Sequence, residues 1–220
     1  MSVALFDLDR TLIDVNSGHL WLRHEFNAGR VTWSDLARAV WWFARYRTGS
    51  ADGLDTAFDK AVAAYNGIPH EELAEIAQRF FETSVQSRLR PGAQQALDRH
   101  RQAGDRIVLA SSTTQYLAHS AAKEWDLDPG VHTKLEVIDG VLTGKIASMA
   151  IGDHKRARVV EWAQAERVDL SEAYFYTDSG TDASLMRLVG HPVAVNPDRS
   201  LDKLARELGW PIEEWGQAKT

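Results

Sequence analysis

The segment Val3 to Leu8, VALFDL, constrains this chain more than any other. Its apolar residues run on without alternation and stop at acids, with Asp7 and Asp9 flanking Leu8. A short unbroken apolar run is the pattern of a strand buried on both faces. A buried strand that ends in carboxylates must open onto a polar site, because charge left in an apolar interior is costly.

The rest of the chain tells what kind of sheet receives that strand. From Ser17 to about Ser87 the pattern is helical, with turn chemistry at Asn27-Ala28-Gly29, Thr48-Gly49-Ser50 and Asn66-Gly67-Ile68-Pro69. Three or four helices and no strand are expected there. After Arg90-Pro91-Gly92 the pattern changes. A helix runs to about Ala103, a strand from Arg106 to Ala110, a polar turn from Ser111 to Thr114 and a helix from Gln115 to Trp125. Thr133 to Gly144 reads as a hairpin about Asp139-Gly140. A helix from Asp153 to Glu166, a strand from Ala173 to Tyr176 and a helix from about Thr181 follow. His191 to Val195 is a strand and Leu201 to Leu208 a helix.

Such alternation predicts an α/β fold, a three-layer Rossmann-like parallel sheet core. Residues 1–15 and 88–220 would form that core. Residues 16–87 are too long for a crossover and would form an all-helical cap inserted after the first strand. The tail from Gln217 is expected to fray.

Composition narrows the function classes. A formal net charge of −6 counts against nucleic acid as the main partner. The absence of cysteine excludes disulfides and thiolate metal sites. The opening MSVALFDLDRTLID lacks a basic region, and acids interrupt its apolar run, so a signal peptide is not expected. No apolar run approaches the ~20 residues of a membrane span. The expectation is a cytoplasmic protein.

Four polar clusters fall where strands end or helices begin, the side on which open α/β sheets bind ligands. Asp7 and Asp9 would be neutralised by a hard cation such as Mg²⁺, leaving one carboxylate to attack phosphorus and the other to move protons. Ser111 and Ser112, between a strand and a helix, offer hydroxyls and amides to an anion. Lys155 stands in the first turn of a helix, against the helix dipole, which calls for an anionic partner. Asp178 follows a strand as Asp7 does, and Asp182 lies four residues on. Each cluster alone has a plain structural reading as a cap, a turn or a surface lysine. Together, in this order, they describe a site.

The motifs FDLDRTLI, LASST, Lys155 and YTDSGTD resemble those of the haloacid dehalogenase superfamily, in its phosphoserine-phosphatase-like branch with a helical cap. The hairpin stretch LEVIDGVLTGKI is similar too. The resemblance covers nearly the whole chain. It implies a phosphatase with Asp7 as nucleophile and Asp9 as general acid/base. Ser111 and the amide after it would bind phosphate, and Lys155 would neutralise nucleophile and phosphate. Asp7, the Asp9 carbonyl and Asp178 would hold Mg²⁺, with Asp182 in support.

Two departures stand out. Thr177 precedes Asp178 where the family usually has glycine. Asn16 stands where phosphoserine phosphatases usually carry a glutamate that grips the substrate's amino group, which argues against phosphoserine. Histidinol phosphate, sugar phosphates and lipid phosphates stay open.

Four of the eight tryptophans, Trp21, Trp33, Trp41 and Trp42, fall in the expected cap. Packing of a small helical core is the first reading of them. An aromatic substrate pocket with an arginine, and a membrane-surface helix, are the others. Rival functions are a phosphotransferase of the same superfamily and a receiver-like signalling domain. The latter fits poorly, because a receiver has no long helical insertion after its first strand.

Overall fold

A computed structural model describes residues 2–29 and 61–218. Within them lie strands β1 (Val3–Phe6), β2 (Arg106–Thr114), β3 (Asp128–Ile138), β4 (Val141–Ser148), β5 (Tyr174–Thr177), β6 (His191–Val195) and β7 (Ile212–Glu213). The helices are α1 (Ser17–Asn27), α2 (His70–Phe80), α3 (Pro91–Ala103), α4 (Gln115–Trp125), α5 (Gly152–Glu166), α6 (Ala183–Met186) and α7 (Arg199–Leu208).

The sheet runs β4-β3-β2-β1-β5-β6-β7. All neighbours are parallel except the β3–β4 hairpin. All four residues of β1 are buried, because the strand lies at the centre and both faces are covered. Phe6, Leu97, Leu109 and Tyr176 share one core with α3 and α4. Leu5, Val108, Phe175 and Val159 share the other, beneath α5 and α7. The expected Rossmann-like α/β core is what the chain forms.

Three local readings change. Ser111 to Thr114 is not a turn but a continuation of β2. The register against β3 slips between Ala110 and Thr114, so the polar run is a bulged strand end. β3 begins at Asp128, before the hairpin motif that marks it, and supplies the ladder that keeps β2 extended. Of the tail, Gln217 and Ala218 are described and do not fray, while Lys219 and Thr220 lie outside the described residues. Arg90 donates to the Gly216 carbonyl, and the Ala218 amide donates to Asp14 at 3.0 Å. The helix expected from Thr181 is a short turn, Gly180–Asp182, followed by α6.

The described helical insertion grips the hairpin. The Gly67 amide donates to the Leu142 carbonyl at 2.8 Å, and the Leu142 amide to the Ile68 carbonyl at 2.9 Å. The His70 amide reaches the Gly140 carbonyl at 3.0 Å. Val62, Leu73 and Ala77 bury themselves with Tyr116, Leu135 and Leu142 beneath these bonds. Trp21 packs edge-on against Phe80 and donates its indole N–H to the Tyr65 hydroxyl at 2.7 Å. For this tryptophan the packing reading holds. Trp33, Trp41 and Trp42, with the run from Leu36 to Arg47, lie outside the described residues.

Trp215, which carries no periodic signal, closes the core at the chain's far end. It is buried against Phe6 and Tyr176. A Cβ added to Gly92 would stand 2.5 Å from the Trp215 side chain, so the start of α3 needs a glycine to let the indole approach. Truncating Trp215 to alanine should cost about 3–5 kcal/mol. Urea denaturation would show it as a lower midpoint with an unchanged slope; a loss below about 1 kcal/mol would mean that the indole does not close this core.

Candidate active site

Strand register gathers the motifs. Phe6 is paired with Leu109 on one side and Tyr176 on the other, so the residues after these three lie toward the same end of the sheet. The Asp7 amide donates to the Tyr176 carbonyl at 2.9 Å, and the chain then coils instead of continuing as a strand. The Ile13 amide reaches back to the Leu8 carbonyl at 3.1 Å, and Arg10 takes a left-handed φ of 59°. That conformation costs a residue with a Cβ roughly 1–2 kcal/mol. It is held from both sides: the Arg10 amide donates to the Val15 carbonyl at 3.0 Å, and Arg90 Nε donates to the Arg10 carbonyl at 3.2 Å. Thr11, fully buried, accepts the Asp178 amide on Oγ1 at 3.0 Å and so ties the first acidic loop to the fourth.

Lys155 lies at the centre. Its ammonium, on the first turn of α5, donates to Asp7 Oδ1 at 3.0 Å and to Asp182 Oδ2 at 2.8 Å. Only 3 % of Lys155 is exposed, so this is no surface lysine. Burial alone would lower its pKa, but the Asp182 and Asp7 carboxylates outweigh burial and raise it. The anionic partner that the helix dipole called for is thus a pair of carboxylates.

Asp7 is pushed up to about 6 from an ordinary 3.8, chiefly by burial, with Lys155 opposing and Asp182 and Asp9 adding to the rise. Asp9 is also raised by burial, against the pull of its bond to Ser17. That bond runs from the Ser17 amide, the first of α1, to Asp9 Oδ1 at 2.7 Å. Asn16 caps the same helix, accepting the His19 amide on Oδ1 at 2.9 Å. Its side chain is therefore engaged in the backbone of α1.

Ser111 is fully buried at the bulge of β2, and its Oγ accepts the Thr113 amide at 3.4 Å. The Ser112 carbonyl accepts the Thr133 hydroxyl at 2.9 Å, and that hydroxyl in turn accepts the Ala150 amide at 3.2 Å just before α5. Thr114 stands at the N-cap of α4 without a capping side-chain bond. The structure thus joins Asp7, Lys155 and Asp182 directly. Asp9 and Asp178 lie within their electrostatic reach, and Ser111 and Ser112 form no hydrogen bond to that group among the described residues.

Asp178 bears on whether a cation fits. It is buried, and its carboxyl is pushed well up by burial and by Asp7 and Asp182. No described residue donates a hydrogen bond to that carboxylate, whereas Asp7 and Asp182 share Lys155. One buried ammonium does not neutralise three buried carboxylates, and an all-oxygen donor set suits a hard divalent ion. Among the described residues no three histidine, aspartate or glutamate side chains form a ready-made cage, so a backbone oxygen would have to complete the set.

A family model described as haloacid dehalogenase-like hydrolase matches residues 4–187. The chain belongs to this family. A histidinol-phosphatase from Neisseria meningitidis is 33 % identical over 96 % of this chain and 97 % of its own length. A phosphoserine phosphatase from Mycobacterium tuberculosis is 29 % identical over 99 % of this chain and 72 % of its own. A solved protein of unknown function from Bordetella pertussis superposes with a TM-score of 0.83 at 27 % identity, over 98 % of this chain and 99 % of that one. The resemblance read from the four motifs therefore stands. Among the described residues no helix is long and apolar enough to cross a membrane.

Sequence reasoning missed Thr11, Arg90 and Thr133. Thr11 stood inside a quoted motif and Arg90 beside a helix-start signal, but their roles are contacts made across the fold.

The raised carboxyls give a test of the cation site. A group whose pKa rises from 3.8 to about 6 on folding stabilises the metal-free protein below about pH 4 and loses that contribution as the pH passes 6. A divalent ion needs the same oxygens deprotonated. Added Mg²⁺ should therefore raise the melting temperature strongly at pH 7.5 and hardly at pH 4.5, as read by scanning fluorimetry. An equal rise at both values would rule out a site at these carboxylates.

Proposed function

We propose that this haloacid dehalogenase-family chain is a Mg²⁺-dependent phosphomonoesterase. In this reading it hydrolyses a small phosphorylated metabolite through an aspartyl-phosphate on Asp7. The observation that carries the reading is the buried Lys155 ammonium shared by Asp7 and Asp182 beside a separately held Asp9. Such an arrangement keeps one carboxylate charged for attack and another available as an acid.

Asp7 attacks phosphorus, and the bond from phosphorus to the substrate oxygen breaks. Asp9 supplies the proton to the leaving oxygen. Its Oδ1 is occupied by the Ser17 amide, so the proton resides on Oδ2. Burial raises the Asp9 carboxyl, which favours that protonated form before reaction. Water then attacks the aspartyl-phosphate, Asp9 takes its proton, and phosphate departs from Asp7. Lys155 compensates charge on Asp7 and on the transferring group. The Ser111 hydroxyl keeps its own proton free, since it accepts from Thr113, and with the Ser112 amide it would hold a phosphate oxygen. Asp7, the Asp9 carbonyl and Asp178 would hold Mg²⁺, with Asp182 supporting through Lys155. The ion supplies Lewis-acid charge compensation for the phosphoryl oxygens.

The helical insertion, residues 16–87, acts as the cap that sets selectivity over the core of residues 1–15 and 88–220. Within the substrate class, histidinol phosphate is favoured over phosphoserine. The Neisseria relative matches over nearly its full length, and Asn16 offers an engaged amide in place of an acid. No nucleic acid takes part, and the protein works in the cytoplasm.

Purified protein with Mg²⁺ should hydrolyse histidinol phosphate with a higher kcat/KM than phosphoserine. Asp7→Asn and chelation by EDTA should each remove turnover by about 10³-fold or more. Failure of the wild type on a broad panel of phosphate esters would sink the proposal. Transfer to added acceptor alcohols in preference to water would make the enzyme a phosphotransferase instead.

A further inference from the structure

One buried hydroxyl near the site has no place in the steps above. Thr177 ends β5, is fully buried, and lies 2.7 Å through Oγ1 from Asp182 Oδ2. The Ser179 amide donates to the same Oγ1 at 3.3 Å. A hydroxyl has one proton, and a carboxylate can only accept. With an amide already donating to Oγ1, the Thr177 proton is directed at Asp182. Lys155 donates to that same Asp182 oxygen at 2.8 Å. Two donors thus meet on one oxygen, one from a strand and one from a helix.

We propose that Thr177 is a positioning residue: its hydroxyl fixes the Asp182 carboxylate, and through it the side of Lys155 that faces Asp7. The inference rests on the phosphatase reading and deepens it. Asp182 closes a turn of only three residues, Gly180–Asp182, which by itself orients a side chain poorly. Thr177 is better anchored. Its strand is paired at Thr177 with Ala194, and the neighbouring Tyr176 carbonyl accepts the Asp7 amide. A β-branched side chain on a strand is also stiff about χ1. One ammonium serves both carboxylates, and the shorter contact goes to Asp182. If Asp182 turns, Lys155 follows it and leaves Asp7. Packing does not require the hydroxyl, since valine has the same branching and suits a buried strand better.

The test compares Thr177→Val, Thr177→Ser and Thr177→Ala, alone and with Asp182→Asn. Each is assayed for kcat and KM on p-nitrophenyl phosphate with Mg²⁺, and for melting temperature. Misplacing Lys155 by a fraction of an ångström should lower kcat of Thr177→Val about tenfold or more, with KM within about twofold. Thr177→Ser keeps the hydroxyl and should restore most of the rate. In the Asp182→Asn background Thr177→Val should cost less than about twofold further, because the partner it acts through is gone. Should Thr177→Val fail to fold, the Ser and Ala variants carry the comparison, as serine and alanine differ by the hydroxyl alone. Equal kcat for Ser and Ala, an unimpaired Val variant, or losses that multiply in full with Asp182→Asn would overturn the inference. If this ester is not turned over, the variants are assayed on whichever ester of the broad panel the wild type hydrolyses; a wild type without turnover on any of them would overturn the phosphatase reading and this inference with it, whereas an active wild type beside an unimpaired Val variant would overturn this inference alone.

Discussion

The contact between the Lys155 ammonium and the carboxylates of Asp7 and Asp182 is the interaction on which the rest of the site depends. All three groups are buried, and two carboxylates so placed would repel each other across a medium of low dielectric. The lysine makes their approach tolerable, and its own burial is tolerable only because both acids accept from it. The surrounding structure serves this geometry. α5 starts where its first turn can deliver Lys155, β1 ends where Asp7 leaves the sheet, and the turn after β5 brings back Asp182. Asp178 adds a further buried carboxyl that no described residue bonds through its side chain, which is why the cluster suits a divalent ion.

Around this contact the loops are tied to one another rather than to solvent. Thr11 receives the Asp178 amide, and Arg90 holds the left-handed Arg10 from the side of α3. Asp198 caps α7 through the Leu201 amide at 2.8 Å and holds the Gly180 amide at 3.1 Å with its other oxygen. Thr133 bridges the end of β2 to Ala150, two residues before α5. Each of these bonds spans two elements, so the site gains rigidity from pairings that no single element could provide. The helical insertion is fastened differently. Its described part bonds to the β3–β4 hairpin and shares a small core with α4. The buried acidic cluster and the described part of the insertion thus sit on separate supports, one at the strand ends and one over the hairpin.

The backbone plan was largely legible. β1, α3, α4, α5 and β6 lie within a few residues of their expected places, because apolar periodicity and turn residues act locally. The misread stretch, Ser111 to Thr114, is polar and followed by a helix, which imitates a turn. It stays extended because β3 lies beside it and Thr133 bonds to Ser112, a partner 21 residues away. Trp215 and the tail were invisible for the same reason: a lone indole has no period, and its burial depends on Gly92 leaving room. Asn16 shows the converse, a residue whose departure from the family pattern was plain but whose capping of α1 only the coordinates display.

By itself the sequence determined the alternation of buried strands and helices, and the types and order of the polar residues at strand ends. These follow from side-chain chemistry and from periods of two and 3.6, which need no long-range information. The tertiary structure alone decided which carboxylates share Lys155, that Asp178 has no side-chain donor among the described residues, and that the Thr177 hydroxyl turns to Asp182. Those facts depend on strand register and on distances between residues up to 148 positions apart, and a linear sequence does not specify either until the sheet is assembled.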